Sequence, residues 1–189
     1  LPRAKAVLAG WGKLEPDVTS DPLPWTAALC IAERLAQRGC AVGLQAARGL
    51  VIQFDLYLRP GELIDLPLCA CLAPCAATGS DHSRFGVVVA PSAQVASDGQ
   101  HFRASKTGVQ DDTVLIDDAS RAGLTAVLDA LLQDARRAGA VRLMYLLSYR
   151  TYNGLLQSTA RELGIPFRVT AHLARHGGPS EDYLRRARM

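Results

Sequence analysis

The stretch LQAARGLVIQFDLYLRPGELIDL, residues 44–66, decides the fold. From Leu50 to Leu58 it is apolar nearly all round, with only Gln53 and Asp55 interrupting. A surface helix carries a single apolar stripe, so an element apolar on every side belongs in the interior. Val51, Ile52, Phe54 and Tyr57 would also suit a strand. The stretch reads as a buried helix that breaks at Arg59-Pro60-Gly61-Glu62, where proline and glycine interrupt the pattern.

Working outward, residues 20–39 (SDPLPWTAALCIAERLAQRG) predict a helix, with polar and proline residues at the start, apolar positions at helical spacing and Gly39 as a stop. Beyond residue 66 the texture changes. RFGVVVAP (84–91), QHFRAS (100–105) and DTVLID (112–117) are short β-type runs between Gly, Ser and Asp clusters. KTGVQD (106–111) joins the last two as a hairpin turn, with Lys106 near its tip. Helices return in residues 123–140 and 148–165, each closing at a glycine as a C-terminal cap would, and a last helix is expected to begin near His172. The predicted fold is mainly α with a small antiparallel β-sheet, an α+β domain over residues 21–189, preceded by a lead-in or linker over residues 1–20.

Composition bounds the function. Hydrophobic residues make up 49% and charged residues 21%, which is ordinary for a globular chain of 189 residues. No apolar run reaches the roughly 18 residues of a membrane span. The opening residues are broken by Trp11, Gly12 and Lys13 too early for a signal peptide. From Arg136 onward, ten arginines face three acids (Glu162, Glu181 and Asp182), so the net charge of +3 divides into +7 there and −4 in residues 1–135. Such asymmetry suits a polyanionic partner.

Five cysteines is an odd number, and three of them form CACLAPC (Cys69, Cys71, Cys75) with His82 downstream. Thiolates with a histidine suit zinc, but this spacing is not that of a zinc knuckle, and no second cysteine pair exists. The cysteines read as buried or half-buried free thiols in a reducing compartment, and neither a metal nor a cofactor is expected.

Two constellations could carry chemistry. In TVLIDDASRAGLTAVLDALLQDARRAGA, Asp117 and Asp118 followed by Gly123 to Thr125 resemble the phosphate loop of type I phosphoribosyltransferases, in which a helix N-terminus cradles a 5′-phosphate. Arg121, Ala122 and Leu124 depart from that loop. The upstream VVVAPS also leaves no room for a parallel sheet. Two aspartates that end a strand and cap a helix are the simpler reading.

The second constellation joins Arg59 in YLRPGEL, Lys106 in SKTG, and His172 and Arg175 in AHLARHGGPSED. In order and setting these resemble the tyrosine recombinases, or phage-type integrases, closest to a divergent set from unicellular algae. The resemblance covers the chain from about Trp25 to Arg186. It implies a tyrosine-recombinase catalytic domain that binds double-stranded DNA, works as a homo-oligomer on DNA in integration and recombination, and resides in the nucleus. Residues 1–20 would then be a linker or the remnant of the family's preceding DNA-clamping domain.

The roles follow from the resemblance and its chemistry. Arg59 and Arg175 would clamp phosphoryl oxygens with permanently charged guanidiniums. Lys106 would protonate the departing 5′-oxygen, and His172 would bind the phosphate or manage the nucleophile's proton. Glu62 and His176 would support the site. The family's nucleophilic tyrosine lies well beyond the H-x-x-R helix, so the chain is expected to be truncated before it. Tyr183, eight residues past Arg175 on the same helix, is a poor substitute. Tyr149 and Tyr152 precede the motif and read as packing residues. Alternatives are a non-catalytic DNA-binding remnant and the phosphoribosyltransferase.

Overall fold

The computed structural model describes residues 22–72, 85–89, 112–116 and 123–187. It contains the helices α1 (Trp25–Ala36), α2 (Ala41–Asp55), α3 (Pro60–Ile64), α4 (Leu124–Arg137), α5 (Tyr149–Glu162) and α6 (Ala171–Ala187). A single 3-10 turn (Leu68–Ala70) leads into strand β1 (Cys71–Leu72), followed in the chain by β2 (Gly86–Val89) and β3 (Asp112–Leu115). The mainly helical α+β architecture agrees with the reading of the sequence. The lead-in of residues 1–20, the QHFRAS run and the hairpin turn with Lys106 lie outside the described residues.

Helix α2 is the buried element that its all-round apolar sequence demands. Leu50, Ile52 and Phe54 are fully buried, and α1, α3, α4, α5 and α6 all pack against it. Phe54 meets the Trp25 ring at 4.9 Å between centroids, joining the start of α1 to the end of α2. Arg48 reaches Asp134 of α4 at 2.6 Å, and Arg38 ties the end of α1 to Thr159 (2.9 Å) and Glu162 (2.7 Å) on α5. Helices α4 and α5 stop where expected: Gly139 (φ 64°) and Gly164 (φ 67°) adopt the left-handed conformation that a terminal glycine permits.

The sheet has the order β1-β2-β3, both pairings antiparallel, with Val87 opposite Val114 and Cys71 opposite Val87. Its inner residues Phe85, Val87 and Ile116 join the helical core. Strand β1 has no counterpart in the sequence reading. Two residues are too few to show an alternating pattern, and they pair because β2 supplies the neighbouring edge. A further backbone bridge, Pro67 to Arg142, holds the chain beside the 3-10 turn.

The cysteines require a correction. Cys30, Cys40, Cys69 and Cys71 are free, but only Cys71 is buried, and the other three are exposed. Cys30 and Cys69 flank apolar positions on outward faces, while the Cys40 sulfur accepts the N–H of Gly43 and caps α2. No group of metal-ligating side chains forms among the described residues; Cys75 and His82 lie outside them.

Burial, reinforced by neighbouring Cys69 and opposed by Arg136, pushes the Cys71 thiol up from its usual 9.0 to about 12. Between these values the unfolded chain releases a proton that the folded chain retains, so this thiol's contribution to stability is lost as pH rises. Cys71→Ala is expected to flatten the decline in stability between pH 9 and pH 12, measured by urea denaturation at a series of pH values. An unchanged slope would contradict the burial of this thiol.

Candidate functional site

The site grows from the break predicted after α2. The chain leaves α2 through Tyr57, which adopts a left-handed φ of 53°, and re-enters a short helix at Pro60. Proline at the first helical position and glutamate at the third suit a helix start. Glu62 uses both carboxylate oxygens on Arg59. One accepts the Arg59 backbone N–H at 2.6 Å, and the other meets the guanidinium at 2.8 Å. Glu62 thus fixes the direction of the Arg59 side chain, as a supporting residue should, and leaves the remaining guanidinium donors unengaged by it.

Helix α6 supplies the other half. It begins at Ala171, as expected for a helix opening near His172. The Ala171 N–H donates to Asn153 Oδ1 of α5 at 3.0 Å, which satisfies one of the donors orphaned at a helix start. His172 is exposed, Arg175 is partly buried and His176 is exposed. With spacings of three and four residues, these three share one side of α6. Arg175 makes no ion pair among the described residues, in contrast to Arg59.

One buried side chain joins the halves. Gln53 is fully buried near the end of α2. Its Nε2 donates to the carbonyl oxygens of Leu58 (3.1 Å) and Ala171 (2.9 Å), and its Oε1 accepts the Tyr152 hydroxyl at 2.8 Å. The amide orientation follows from the partners, since a flipped amide would set an oxygen against two carbonyl oxygens. Leu58 precedes Arg59, Ala171 precedes His172, and Tyr152 lies on α5, so a single amide gathers all three elements. Helices α3, α5 and α6 also pack on one another pairwise. Burial raises the Tyr152 hydroxyl pKa above its usual value, so it stays a donor to Gln53.

The Gly177-Gly178-Pro179 run explains how α6 comes so close. A Cβ at Gly177 would overlap the Leu23 carbonyl oxygen, and one at Gly178 would overlap the Phe54 carbonyl oxygen. Tyr57 lies across Gly178 and donates its hydroxyl to Asp182. Pro179 lies inside the helix and has no N–H for the carbonyl one turn earlier, that of Arg175.

The expected residues therefore fall into three groups. Arg59, Glu62, His172, Arg175 and His176 lie on elements that meet at one junction. Lys106 is outside the described residues. Tyr183 is on α6, as expected, and is 74% exposed. Tyr152 is a packing residue, also as expected. Tyr149 is not: it is 44% exposed, with its ring edge-on to His172 at 6.5 Å between centroids. Gln53 is absent from the set that sequence reasoning assembles, because its only signal there is a polar residue inside an apolar run.

Two other features carry less. Strand β3, which runs towards Asp117, is antiparallel to β2, whereas the phosphoribosyltransferase loop belongs to a parallel sheet. Its following helix has Gly123 as N-cap, and Asp117 and Asp118 lie outside the described residues. An open pocket of about 420 Å³ lies at the opposite end of α2, lined by Leu44, Leu131, Tyr145 and Leu146 among others, away from the junction. Among the described residues no helix is long and apolar enough to cross a membrane. The chain matches no protein-family model, and no curated protein matches it.

Gln53→Leu is expected to leave three buried polar groups without their partner and to cost at least ~3 kcal/mol, whereas Tyr152→Phe strands one acceptor and costs about 1–2 kcal/mol. Urea denaturation followed by circular dichroism measures both. Equal small losses would show that the amide does not hold the junction.

Proposed function

We propose that this protein is an integrase-like DNA-binding domain of the tyrosine-recombinase type, in which Arg59 and Arg175 clamp a phosphodiester of double-stranded DNA. The observation that carries the reading is the convergence at Gln53. Arg59 and His172 stand 113 positions apart in sequence, yet the residues preceding them share one buried amide. Core packing alone does not require a guanidinium turn and an H-x-x-R helix start to be tied to the same side chain.

Electrostatics supports the same reading. Arg150, Arg168, Arg175 and Arg186 have no ion-pair partner among the described residues, so the basic half of the chain keeps positive charge that its own acids leave unneutralised. A guanidinium that is partly buried and unpaired bears a desolvation cost that an incoming phosphate offsets. Glu62 holds Arg59 in place before any phosphate arrives, which lowers the ordering cost of binding.

The proposal extends to phosphoryl transfer through a phosphotyrosine, whose nucleophile is not among Arg59, Lys106, His172 and Arg175, and to a homo-oligomer on DNA and a nuclear location. In that chemistry two guanidiniums stabilise the charge that builds on the phosphoryl oxygens, His172 handles a proton at the phosphate, and Lys106 delivers one to the leaving oxygen. A non-catalytic DNA-binding remnant would keep the clamp and lack the transfer.

Binding to a short duplex should weaken as salt rises, with log K falling by roughly 0.9 per decade of salt for each phosphate neutralised. Arg175→Ala should reduce that slope by about 1 and weaken binding to all sequences alike. Fluorescence anisotropy between low and moderate salt reads both. Negligible affinity at low salt, or affinity indifferent to salt, would contradict the proposal.

A further inference from the structure

The residue whose setting departs most from its sequence expectation is Tyr149. It is the first residue of α5, behind Ser148, whose side chain caps the helix by accepting the Thr151 N–H at 3.1 Å. Tyr149 and Asn153 are four residues apart and share one side of α5. Asn153 uses that side to hold the Ala171 N–H at 3.0 Å, so this face of α5 meets the first turn of α6. The Tyr149 ring lies there against His172 at 6.5 Å, inclined by 64°.

The contrast with Tyr152 defines the role. Tyr152 is fully buried and its hydroxyl is consumed by Gln53. Tyr149 is 44% exposed, and its hydroxyl has no partner among the described residues. A phenol at the rim of a junction, beside the exposed imidazole of His172, which itself stands one helical turn before Arg175, adds a donor to a set of donors. No carboxylate of the described residues pairs with Tyr149, His172 or Arg175. Such a set suits an anionic ligand whose oxygens accept several hydrogen bonds at once.

We infer that the Tyr149 hydroxyl is a further phosphate contact of this junction, donating to the same DNA phosphodiester that His172 and Arg175 engage. The inference rests on the DNA-binding reading above. Its physical signature differs from that of the arginines. A neutral phenol contributes a hydrogen bond but releases no counterion, so its loss weakens binding without changing the salt dependence. The ring itself, resting on His172, contributes packing that phenylalanine would preserve.

The test is anisotropy titration of a short duplex at several salt concentrations, with wild type, Tyr149→Phe, Tyr149→Ala and Arg175→Ala, each checked for folding by circular dichroism. Tyr149→Phe is expected to weaken binding about tenfold with an unchanged salt slope, and Tyr149→Ala to do the same or slightly more. Arg175→Ala should flatten the slope. Affinity of Tyr149→Phe equal to wild type overturns the inference while leaving the clamp intact. So does a loss confined to Tyr149→Ala, which would make the residue a prop for His172. If wild type itself shows no salt-sensitive binding, the DNA reading fails and this contact falls with it.

Discussion

The junction depends on one primary amide. Gln53 is buried without access to water, and in such surroundings a polar group is costly unless its donors and its acceptor are hydrogen-bonded. It meets that demand by donating to two carbonyls and accepting from one hydroxyl, each from a different segment. The geometry of a planar amide therefore dictates where the Arg59 turn, the start of α6 and the first residues of α5 sit relative to α2. Apolar packing could hold these segments together in several registers. The amide accepts only one.

Close approach is the second condition. Helix α6 can lie against the end of α2 only because residues 177 and 178 carry no Cβ, and the phenol of Tyr57 then crosses that gap to Asp182. Tyr57 holds a backbone conformation that non-glycine residues adopt rarely and at some cost. It stands two residues before Arg59, so the strained turn, the Gly-Gly contact and the aspartate hold one corner of the molecule. Pro179 follows directly and interrupts the helical ladder one turn after Arg175. The sequence HLARHGGPSED thus contains, in order, the basic groups, the contact that brings them in and the interruption that ends the first half of the helix.

Much of this is legible in the residues themselves. The apolar run of residues 50–58 reads as interior, and the terminal glycines mark α4 and α5. Helix α2 already ends at Asp55, however, and Arg59-Pro60-Gly61-Glu62 starts α3 instead of ending α2. The hidden parts depend on tertiary geometry. Gln53 looks like an interruption of an apolar run, because the value of a buried amide comes from partners far away in sequence. Tyr149 and Tyr152 share one side of α5 by spacing, so both read as core. Only Tyr152 lies over the core. Tyr149, at the first turn, passes its edge and emerges beside α6. Strand β1 is too short for any periodicity, and composition, which suggests buried cysteines, does not distinguish an inward face from an outward one. The site motifs are legible as residues and order, while the meeting of their elements is not.

In the proposed clamp, Arg59 and Arg175 act on one phosphate. A double-mutant cycle measures this directly: duplex binding by wild type, Arg59→Ala, Arg175→Ala and the double variant at one low salt concentration. Two guanidiniums on a shared phosphate should be coupled, so the double variant should lose less than the sum of the single losses, by about 1 kcal/mol or more. Losses that add to within roughly 0.5 kcal/mol would put the two arginines on separate phosphates and contradict the account.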